Sequence, residues 1–332
     1  MACKSFLPAS IWSCFGQAFS SFGIEPSVNF KVMKPGQSLS SLTAKLLLGF
    51  EKYFKEERPD LVLAHGDTTT CFATALSSFY HRIPFFHVEA GLRTRRLDSP
   101  FPEEFNRQTT APIASHHFAP TSVEQENLLS DGISPEAITI TGSTVHEAIR
   151  AVRSKNIESD TERRPIVLVT LHRRESAGSL QNALRGLKLA AMKRPDVLFV
   201  CPVHPSPGVQ RAFQACLNGQ DNISLRPPME YSKFISLLMR ADLVVTDSGG
   251  VQEEAAFLGK RVLLARAETE RADGLGSGLV KLVGMNSEAI QKAVQRELSC
   301  PNPVVFRPER NNSQPPASEI IACEVMRAVG AR

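Results

Sequence analysis

The sequence lacks the signatures of several common cofactor and metal sites. It has no Walker-type phosphate loop, and Gly274-Leu-Gly-Ser-Gly278 has neither the spacing nor the preceding strand of a dinucleotide-binding fingerprint. No group of histidines and cysteines has the spacing of a metal site. These absences count against enzymes that depend on a dinucleotide or on a protein-bound metal.

The chain also lacks a long apolar run and paired cysteines. No stretch approaches the roughly 18 apolar residues of a membrane span, so we predict none. The seven cysteines are odd in number and include no Cys-x-x-Cys pair, which favours free thiols in a reducing, cytoplasmic compartment. The serine-rich stretch Phe6–Ile24 has some features of a targeting peptide, but interrupting polar residues favour an ordinary segment.

A strong excess of one charge is absent as well. The 38 basic and 34 acidic residues give a net charge of +4, which is small and scattered along the chain. We therefore predict no nucleic-acid partner, and an anionic small molecule suits this charge equally well. The 332 residues suggest two domains, and a hydrophobic content of 42% is ordinary for a globular enzyme.

One local pattern is present twice, once in each half of the chain. A buried apolar strand ends in a small polar loop from which a helix begins at once, in Asp60-Leu-Val-Leu-Ala-His-Gly-Asp-Thr-Thr-Thr70 and in Asp242-Leu-Val-Val-Thr-Asp-Ser-Gly-Gly250. Such a helix N-terminus suits an anion such as a phosphate. The sequence therefore predicts an α/β protein with two nucleotide-binding halves.

The alternation of strands and helices gives the domain boundaries. We predict an N-terminal domain over residues 1–149, a C-terminal domain over 165–317 and a final helix over 318–332, with Arg150–Arg164 as the connection and residues 300–317 as a proline-rich loop. The predicted strands are Leu61–Ala64, Pro84–Val88, His117–Ala119, Ile138–Thr141, Ile166–Thr170, Val197–Pro202, Ser224–Leu225, Leu243–Val245 and Arg261–Ala265. The predicted helices are Leu42–Glu56, Thr68–Tyr80, Glu103–Ala114, one from Ser122, Ser179–Met192, Pro207–Leu217, Tyr231–Met239, Gly250–Leu258 and Ser318–Ala328.

The segment Asp247-Ser-Gly-Gly-Val-Gln-Glu-Glu254 carries the most specific signal. Its two glycines allow close backbone approach, and Ser248 can both cap the helix and donate to a phosphate. A simple capping box is the alternative, but two adjacent glycines after a buried strand favour a phosphate site.

Carboxylates follow the predicted strands of the first half. Asp67 and Glu89 come after two of these strands, and Glu103 and Glu104 begin a helix. Each alone is explained as a helix cap or a partner of the helix dipole. Several carboxylates at one sheet edge would repel each other, and such clustering favours acid–base function.

Basic groups follow two strands of the second half. His172-Arg-Arg-Glu-Ser176 places one imidazole and two guanidinium groups at a strand end, and His204 follows the next strand. Arginine suits bidentate phosphate binding, and histidine can exchange a proton. A solvated basic loop explains the first cluster equally well.

Read together, these segments resemble the non-hydrolysing UDP-N-acetylglucosamine 2-epimerases, from about Pro35 to Gly284. The matching pieces are His65-Gly-Asp-Thr-Thr-Thr70, His87-Val-Glu-Ala-Gly-Leu-Arg-Thr94, Pro102-Glu-Glu104 with Asn106-Arg107, Phe118-Ala-Pro-Thr121, His172-Arg-Arg-Glu-Ser176, Pro202-Val-His-Pro205, Asp247-Ser-Gly-Gly250 and Thr269-Glu-Arg271. The resemblance implies a glycosyltransferase-B-like architecture of two Rossmann-like domains with the active site between them. It further implies interconversion of UDP-GlcNAc and UDP-ManNAc without NAD or a metal, by anti elimination of UDP to 2-acetamidoglucal and re-addition with inversion at C2.

The resemblance also implies roles for individual residues. The implied catalytic residues are Asp67, Glu89, Glu103 and His172, and the implied UDP-binding residues are Ser248, Gly249, Gly250 and Arg271 for the diphosphate, Glu254 for the ribose and Phe234 for the uracil. Arg173 and His204 match positions at which some members bind a second, activating UDP-GlcNAc. The sequence does not decide which carboxylate removes the C2 proton, and it leaves a homodimer open.

Two departures from the family pattern matter. The family's opening block, a strand ending in Gly-Thr-Arg-Pro-Glu followed by a helix and a second strand, is absent, and so is its Asn-Pro-Tyr-Gly-Asp-Gly loop near the C-terminus. The opening block supplies a strand within the N-terminal sheet and an arginine and a lysine near the diphosphate. We therefore expect an incomplete N-terminal domain and low activity, since nothing in the sequence fixes Arg93, Arg95 or Arg96 at those positions.

Other functions stay open on the sequence alone. One is a hydrolysing UDP-GlcNAc 2-epimerase that releases ManNAc and UDP, and another is a related glycosyltransferase. A third is a UDP-sugar-binding protein without catalysis, which the absent opening block favours. The products formed from UDP-GlcNAc distinguish them.

Overall fold

The computed structural model describes residues 6–7, 22–34, 36–153, 164–172, 177–266, 269, 271, 275, 278–300 and 315–330. The chain divides into two units, one made of Met1–Glu147 with Asn311–Arg332 and the other of Ala148–Arg310. Each unit contains a sheet in which all described strand pairs are parallel. The predicted α/β fold class is therefore confirmed.

The first unit contains a four-stranded sheet in the order β3-β4-β5-β6 and a separate strand pair, β1 with β2. Its strands are β1 (Phe6–Leu7), β2 (Val28–Asn29), β3 (Val62–His65), β4 (Phe85–Val88), β5 (His116–Ala119) and β6 (Ile138–Ile140). Strand β4 is buried along its whole length, as expected for an inner parallel strand covered on both faces. The pairing register places His87 opposite both Ala64 and His117.

Helices connect these strands and cover the sheet. They are α1 (Leu39–Glu57), α2 (Thr69–Tyr80), α3 (Glu103–Thr110), α4 (Ser122–Ser130), a 3-10 turn (Pro135–Ala137), α5 (Thr144–Arg153), which runs into the second unit, and the last helix of the chain, numbered α11 (Ala317–Gly330). Helix α11 packs through Ile321 on Phe86, Val88 and Phe118 of the first sheet. The last helix is thus part of the first unit's core.

The second unit contains a six-stranded sheet in the order β12-β11-β10-β7-β8-β9. Its strands are β7 (Ile166–Thr170), β8 (Leu198–Pro202), β9 (Ile223–Arg226), β10 (Leu243–Thr246), β11 (Val262–Leu264) and β12 (Val280–Leu282). Its helices are α6 (Ala177–Lys193), α7 (Pro207–Leu217), α8 (Tyr231–Arg240), α9 (Gly249–Phe257) and α10 (Ser287–Ser299). Valine, leucine and phenylalanine from the central strands fill one continuous core with helices α6, α7 and α10.

Several predicted boundaries differ from the structure. The predicted connection Arg150–Arg164 begins inside helix α5, and residues 154–163 lie outside the described residues, as do Arg173 and most of the predicted loop over 300–317. The predicted helix Glu103–Ala114 ends at Thr110. Strand β12 and helix α10 were not predicted at all. Among the described residues, no helix has both the length and the apolar character needed to cross a bilayer.

The contact between α6 and α10 yields a stability prediction. A Cβ atom on Gly186 would lie within 3.0 Å of the backbone of Ser287, so Gly186→Ala forces the two helices apart. We expect a loss of about 1–3 kcal/mol of unfolding free energy, even though alanine favours helices over glycine. Urea unfolding of Gly186→Ala and of the control Gly208→Ala, whose Cβ meets nothing within 4 Å, checks this. Equal stability of the two variants would contradict it.

Candidate functional site

Parallel pairing brings the polar loops of the first unit to one edge of its sheet. Gly66 follows β3, and its N–H donates to the Val88 carbonyl at 3.0 Å. Glu89 directly follows β4, and one of its carboxylate oxygens would lie 3.3 Å from a Cβ at Gly66. Glu89 therefore lies beside the loop that carries Asp67.

Asp67 is held by the helix that begins with Glu103. Arg107 of α3 donates to Asp67 Oδ2 from Nε at 2.9 Å and from Nη2 at 2.6 Å. Asn106 Nδ2 donates to the backbone carbonyl of Asp67 at 2.8 Å. Helix α3 thus fixes both the main chain and the carboxylate of Asp67, a relation across 40 residues that the sequence did not reveal.

Arg107 also neutralises a second carboxylate, that of Glu104. Arg107 Nη1 donates to Glu104 Oε2 at 3.0 Å, and Gln108 and the Arg95 N–H donate to Oε1 at 2.8 and 3.0 Å. Burial alone would raise the pKa of Glu104, but these hydrogen bonds and the Arg107 charge hold that pKa below its usual 4.5. Glu104 is therefore an ionised structural carboxylate.

Glu103 and Glu89 differ from Asp67 in their partners. Glu103 Oε2 is buried and has no hydrogen-bond partner among the described residues, which leaves it able to accept a proton or a ligand hydrogen bond. Glu89 has a left-handed backbone with φ of +62°, and its Oε2 lies 3.6 Å from His65 Nε2. The three carboxylates therefore lie in different surroundings, an arrangement that suits a division of acid and base roles.

Two of the three arginines that follow Glu89 share one aspartate. Arg93 Nε donates to Asp131 Oδ2 at 2.8 Å, and Arg95 Nη1 pairs with the other Asp131 oxygen. Burial, opposed by Asp131, lowers the pKa of Arg93. Arg96 lies 3.7 Å from Asp98. We expected nothing to fix these arginines at the positions of the family's missing arginine and lysine, and in the structure all three pair with acidic residues.

In the second unit, His172 is held by a buried carboxylate. The His172 N–H donates to Asp247 Oδ2 at 2.8 Å, and the ring Nδ1 lies 3.1 Å from Oδ1. The Asp247 side chain is 1% exposed, while that of His172 is 39% exposed. Asp247 therefore orients the imidazole so that its Nε2 edge is available, and this role was not predicted from the sequence.

His204 lies against His172. The two imidazole rings stack with centroids 5.7 Å apart at an interplanar angle of 15°. His204 Nδ1 accepts the Ser206 N–H at 3.2 Å. The structure thus brings together two of the predicted site residues, at the ends of β7 and β8.

The N-terminus of helix α9 is built as the sequence predicted. Ser248 caps the helix by accepting the Val251 N–H, and its own N–H donates to Thr246 Oγ1 at 3.0 Å. Gly249 is buried, whereas Gly250 is exposed, and a Cβ there would meet only Ser248 Oγ at 3.9 Å. The first turn of α9 is therefore open to an approaching anion.

The next turn of α9 carries two carboxylates in different environments. Glu253 pairs with Arg271 at 2.5 Å. Burial raises the pKa of Glu254 to about 7, a hydrogen bond with Tyr231 opposes the shift, and the Glu253 charge adds to it. Tyr231 begins helix α8, which also carries the half-buried Phe234.

Gln252 is a further residue that the sequence did not single out. It is almost fully buried, and its side chain accepts from Thr269 Oγ1 at 3.0 Å and donates to the Arg271 carbonyl at 3.2 Å. Gln252 therefore fixes the position of Arg271 relative to α9. Within the described part of the chain, no group of three or more histidine, cysteine, aspartate or glutamate side chains could hold a metal.

Comparison with known proteins identifies the family. Residues 13–313 match the protein family described as UDP-N-acetylglucosamine 2-epimerase. The chain belongs to the UDP-N-acetylglucosamine 2-epimerase family. It is 43% identical to the UDP-N-acetylglucosamine 2-epimerase of Yersinia pestis over 298 residues, which cover 85% of this chain and 79% of the relative.

Solved structures of the family share this fold. The UDP-GlcNAc 2-epimerase of Neisseria meningitidis, bound to UDP-GlcNAc, is similar with a TM-score of 0.86 and 35% identity, covering 96% of this chain and 90% of that one. The Methanocaldococcus jannaschii UDP-GlcNAc 2-epimerase, in complex with UDP-GlcNAc and UDP, is similar with a TM-score of 0.79 and 30% identity. The match covers 93% of this chain and 86% of that one. The family resemblance seen in the sequence is confirmed.

The environment of Glu254 gives a prediction about pH. Native Glu254 keeps its proton up to about pH 7, whereas an unfolded glutamate releases it near 4.5, so rising pH in this window favours the unfolded state. We expect the melting temperature of the wild type to fall between these pH values relative to that of Glu254→Gln, which cannot ionise. Parallel pH profiles for the two proteins would exclude the raised pKa.

Proposed function

We infer that this protein is a non-hydrolysing UDP-N-acetylglucosamine 2-epimerase, which interconverts UDP-GlcNAc and UDP-ManNAc. The observation that carries this inference is the family match over residues 13–313, a range that contains every site residue described above. The substrate is a UDP-sugar, and the reaction inverts the configuration at C2. The absent opening block is the one sequence feature that favours the binding-only alternative, and the family match and the identity to named epimerases outweigh it.

The proposed reaction proceeds by elimination and re-addition. A base removes the C2 proton while the C1–O bond to UDP breaks, which gives 2-acetamidoglucal and UDP. UDP then adds back to C1 as a proton is delivered to the opposite face of C2. Asp67, Glu89 and Glu103 provide the acid–base groups, and the different partners of the three carboxylates support distinct roles for them.

The second unit binds the nucleotide in this proposal. Ser248, Gly249 and Gly250 contact the diphosphate through the open N-terminus of α9, where backbone N–H groups and the helix dipole stabilise negative charge. The Arg271 guanidinium pairs with the negative charge of the diphosphate, and Glu254 accepts hydrogen bonds from the ribose hydroxyls. Phe234 of α8 stacks on the uracil.

His172 assists the departure of UDP in this proposal. Its ring is partly exposed, and the buried Asp247 carboxylate next to Nδ1 orients the ring with its Nε2 edge available. A hydrogen bond donated from Nε2 can stabilise the charge that develops on the leaving phosphate oxygen. The stacked His204, together with Arg173, is proposed to bind a second, activating UDP-GlcNAc.

The setting of the enzyme is also a proposal. We propose a cytoplasmic location, which the five free cysteines of the described residues support, since cytoplasmic thiols stay reduced. A homodimer stays a prediction that sedimentation would test.

The proposed reaction predicts a specific set of products. UDP-GlcNAc incubated with the protein in deuterated water should give UDP-ManNAc with deuterium at C2, because the proton removed exchanges with solvent before re-addition. Proton NMR of the mixture measures both changes. Free ManNAc with UDP would instead indicate hydrolysis, and a rate equal to that of a relative that carries the opening block would contradict the expected low activity.

Variants in the two units should separate catalysis from binding. Glu103→Gln should lower turnover about 10²–10⁴-fold with unchanged UDP affinity, because only proton transfer is lost. Gly250→Val should instead weaken UDP binding by about 1–3 kcal/mol, since its side chain stands before the helix N-terminus. Kinetics and calorimetry with UDP measure the two effects. Weaker UDP binding by Glu103→Gln, or unchanged binding by Gly250→Val, would overturn these assignments.

A further inference from the structure

His87 contacts the loop that carries Asp67. The imidazole is 1% exposed, and Nε2 lies 2.7 Å from the Gly66 carbonyl oxygen. A carbonyl oxygen only accepts hydrogen bonds, so Nε2 carries the hydrogen and donates it. His87 is opposite Ala64 in the strand register, and its ring therefore reaches beyond the end of β3 to the loop.

The loop is fixed from two sides at this point. The Gly66 N–H donates to Val88 on the main chain of β4, while the Gly66 carbonyl accepts from His87 on the same strand. Gly66 has φ of +79°, a left-handed conformation in which other residues are strained. The next carbonyl, that of Asp67, accepts from Asn106. Strand β4 and helix α3 thus set the direction in which the chain leaves β3.

We propose that His87 is a positioning residue for Asp67, because its Nε2–H holds the Gly66 carbonyl and so fixes the Asp67 carboxylate relative to Arg107. The inference rests on the proposed function, in which Asp67 belongs to the acid–base set. In this proposal His87 acts through the backbone of Gly66, the residue before Asp67, and contacts no reacting group. The sequence alone predicted no role for His87.

The hydrogen bond from His87 does not depend on pH between mildly acidic and basic conditions. Burial lowers the pKa of His87 to about 4, with smaller contributions in the same direction from His65 and Arg93, while the Gly66 contact and Glu89 oppose the shift. His117, the register partner of His87, is fully buried, and burial lowers its pKa to about 3. The donor is therefore a neutral imidazole from mildly acidic to basic pH, and the position of Asp67 is not switched by protonation of His87.

Three variants test the role of His87 in turnover. His87→Leu should lower kcat and the rate of C2 hydrogen exchange about 10- to 100-fold, because small displacements of a catalytic group are that costly. His87→Gln places an amide N–H near the position of Nε2 and should recover most of kcat. The matched control is His117→Leu, which removes an equally buried ring with no described hydrogen bond and should keep kcat within about twofold of the wild type.

Equal losses of kcat in His87→Leu and His117→Leu, or no recovery in His87→Gln, would reduce His87 to a core residue and overturn the proposal. UDP affinity, measured by calorimetry, should be the same in all variants, which separates positioning from general unfolding. Melting curves of the two leucine variants report their stability.

A measurement on the wild type tests the contact without turnover. Nitrogen-15 NMR of the histidine side chains, assigned with His87→Gln, should show the neutral Nε2–H form of His87 from about pH 5 to pH 8. Titration near the usual histidine value of about 6.5, or the Nδ1–H form, would overturn the proposal even if His87→Leu fails to fold. An inactive wild type with the expected NMR signature would count against the proposed function and leave the contact standing.

Discussion

The carboxylate edge of the first unit depends on one buried guanidinium, that of Arg107. Its side chain is 4% exposed and binds Asp67 and Glu104 at once. Two carboxylates this close would repel each other, and Glu104, which is fully buried, would lose its charge partner without Arg107. Glu104 in turn accepts from the backbone N–H of Arg95. Arg107 of α3 therefore connects this helix to the loop after β3 and, through Glu104, to the segment before α3.

In the second unit a buried anion, rather than a buried cation, holds the polar groups at the strand ends. Here a buried carboxylate, Asp247, is the organising group, and it accepts from the backbone of His172 while lying beside the ring. Asp247 directly precedes Ser248, the cap of helix α9. One residue thus links the end of β7, where His172 lies, to the helix proposed to bind the diphosphate. The His172 imidazole and the proposed phosphate site are therefore both positioned by the segment Asp247–Ser248.

The sequence predicted the residues at the strand ends better than the contacts between them. Apolar β-branched runs followed by polar loops revealed nine of the strands, because buried parallel strands have a strong signal. Strand β12 has one buried residue in three, and helix α10 buries only Ile290, Val294 and Glu297, so neither stood out. The contacts of Arg107 with Asp67 and of Asp247 with His172 join residues 40 and 75 positions apart. Such contacts follow from strand order and register, which a single sequence does not specify.

The place of helix α11 has a consequence for synthesis of the protein on the ribosome. The first unit consists of Met1–Glu147 and Asn311–Arg332, so all of the second unit is translated between its two parts. Ile321 packs on Phe86 and Phe118, which lack this contact until helix α11 has left the exit tunnel. The second unit, whose residues are contiguous, can collapse first during elongation. The core of the carboxylate-bearing sheet is therefore completed after that of the second unit, and it bears the greater risk of premature aggregation.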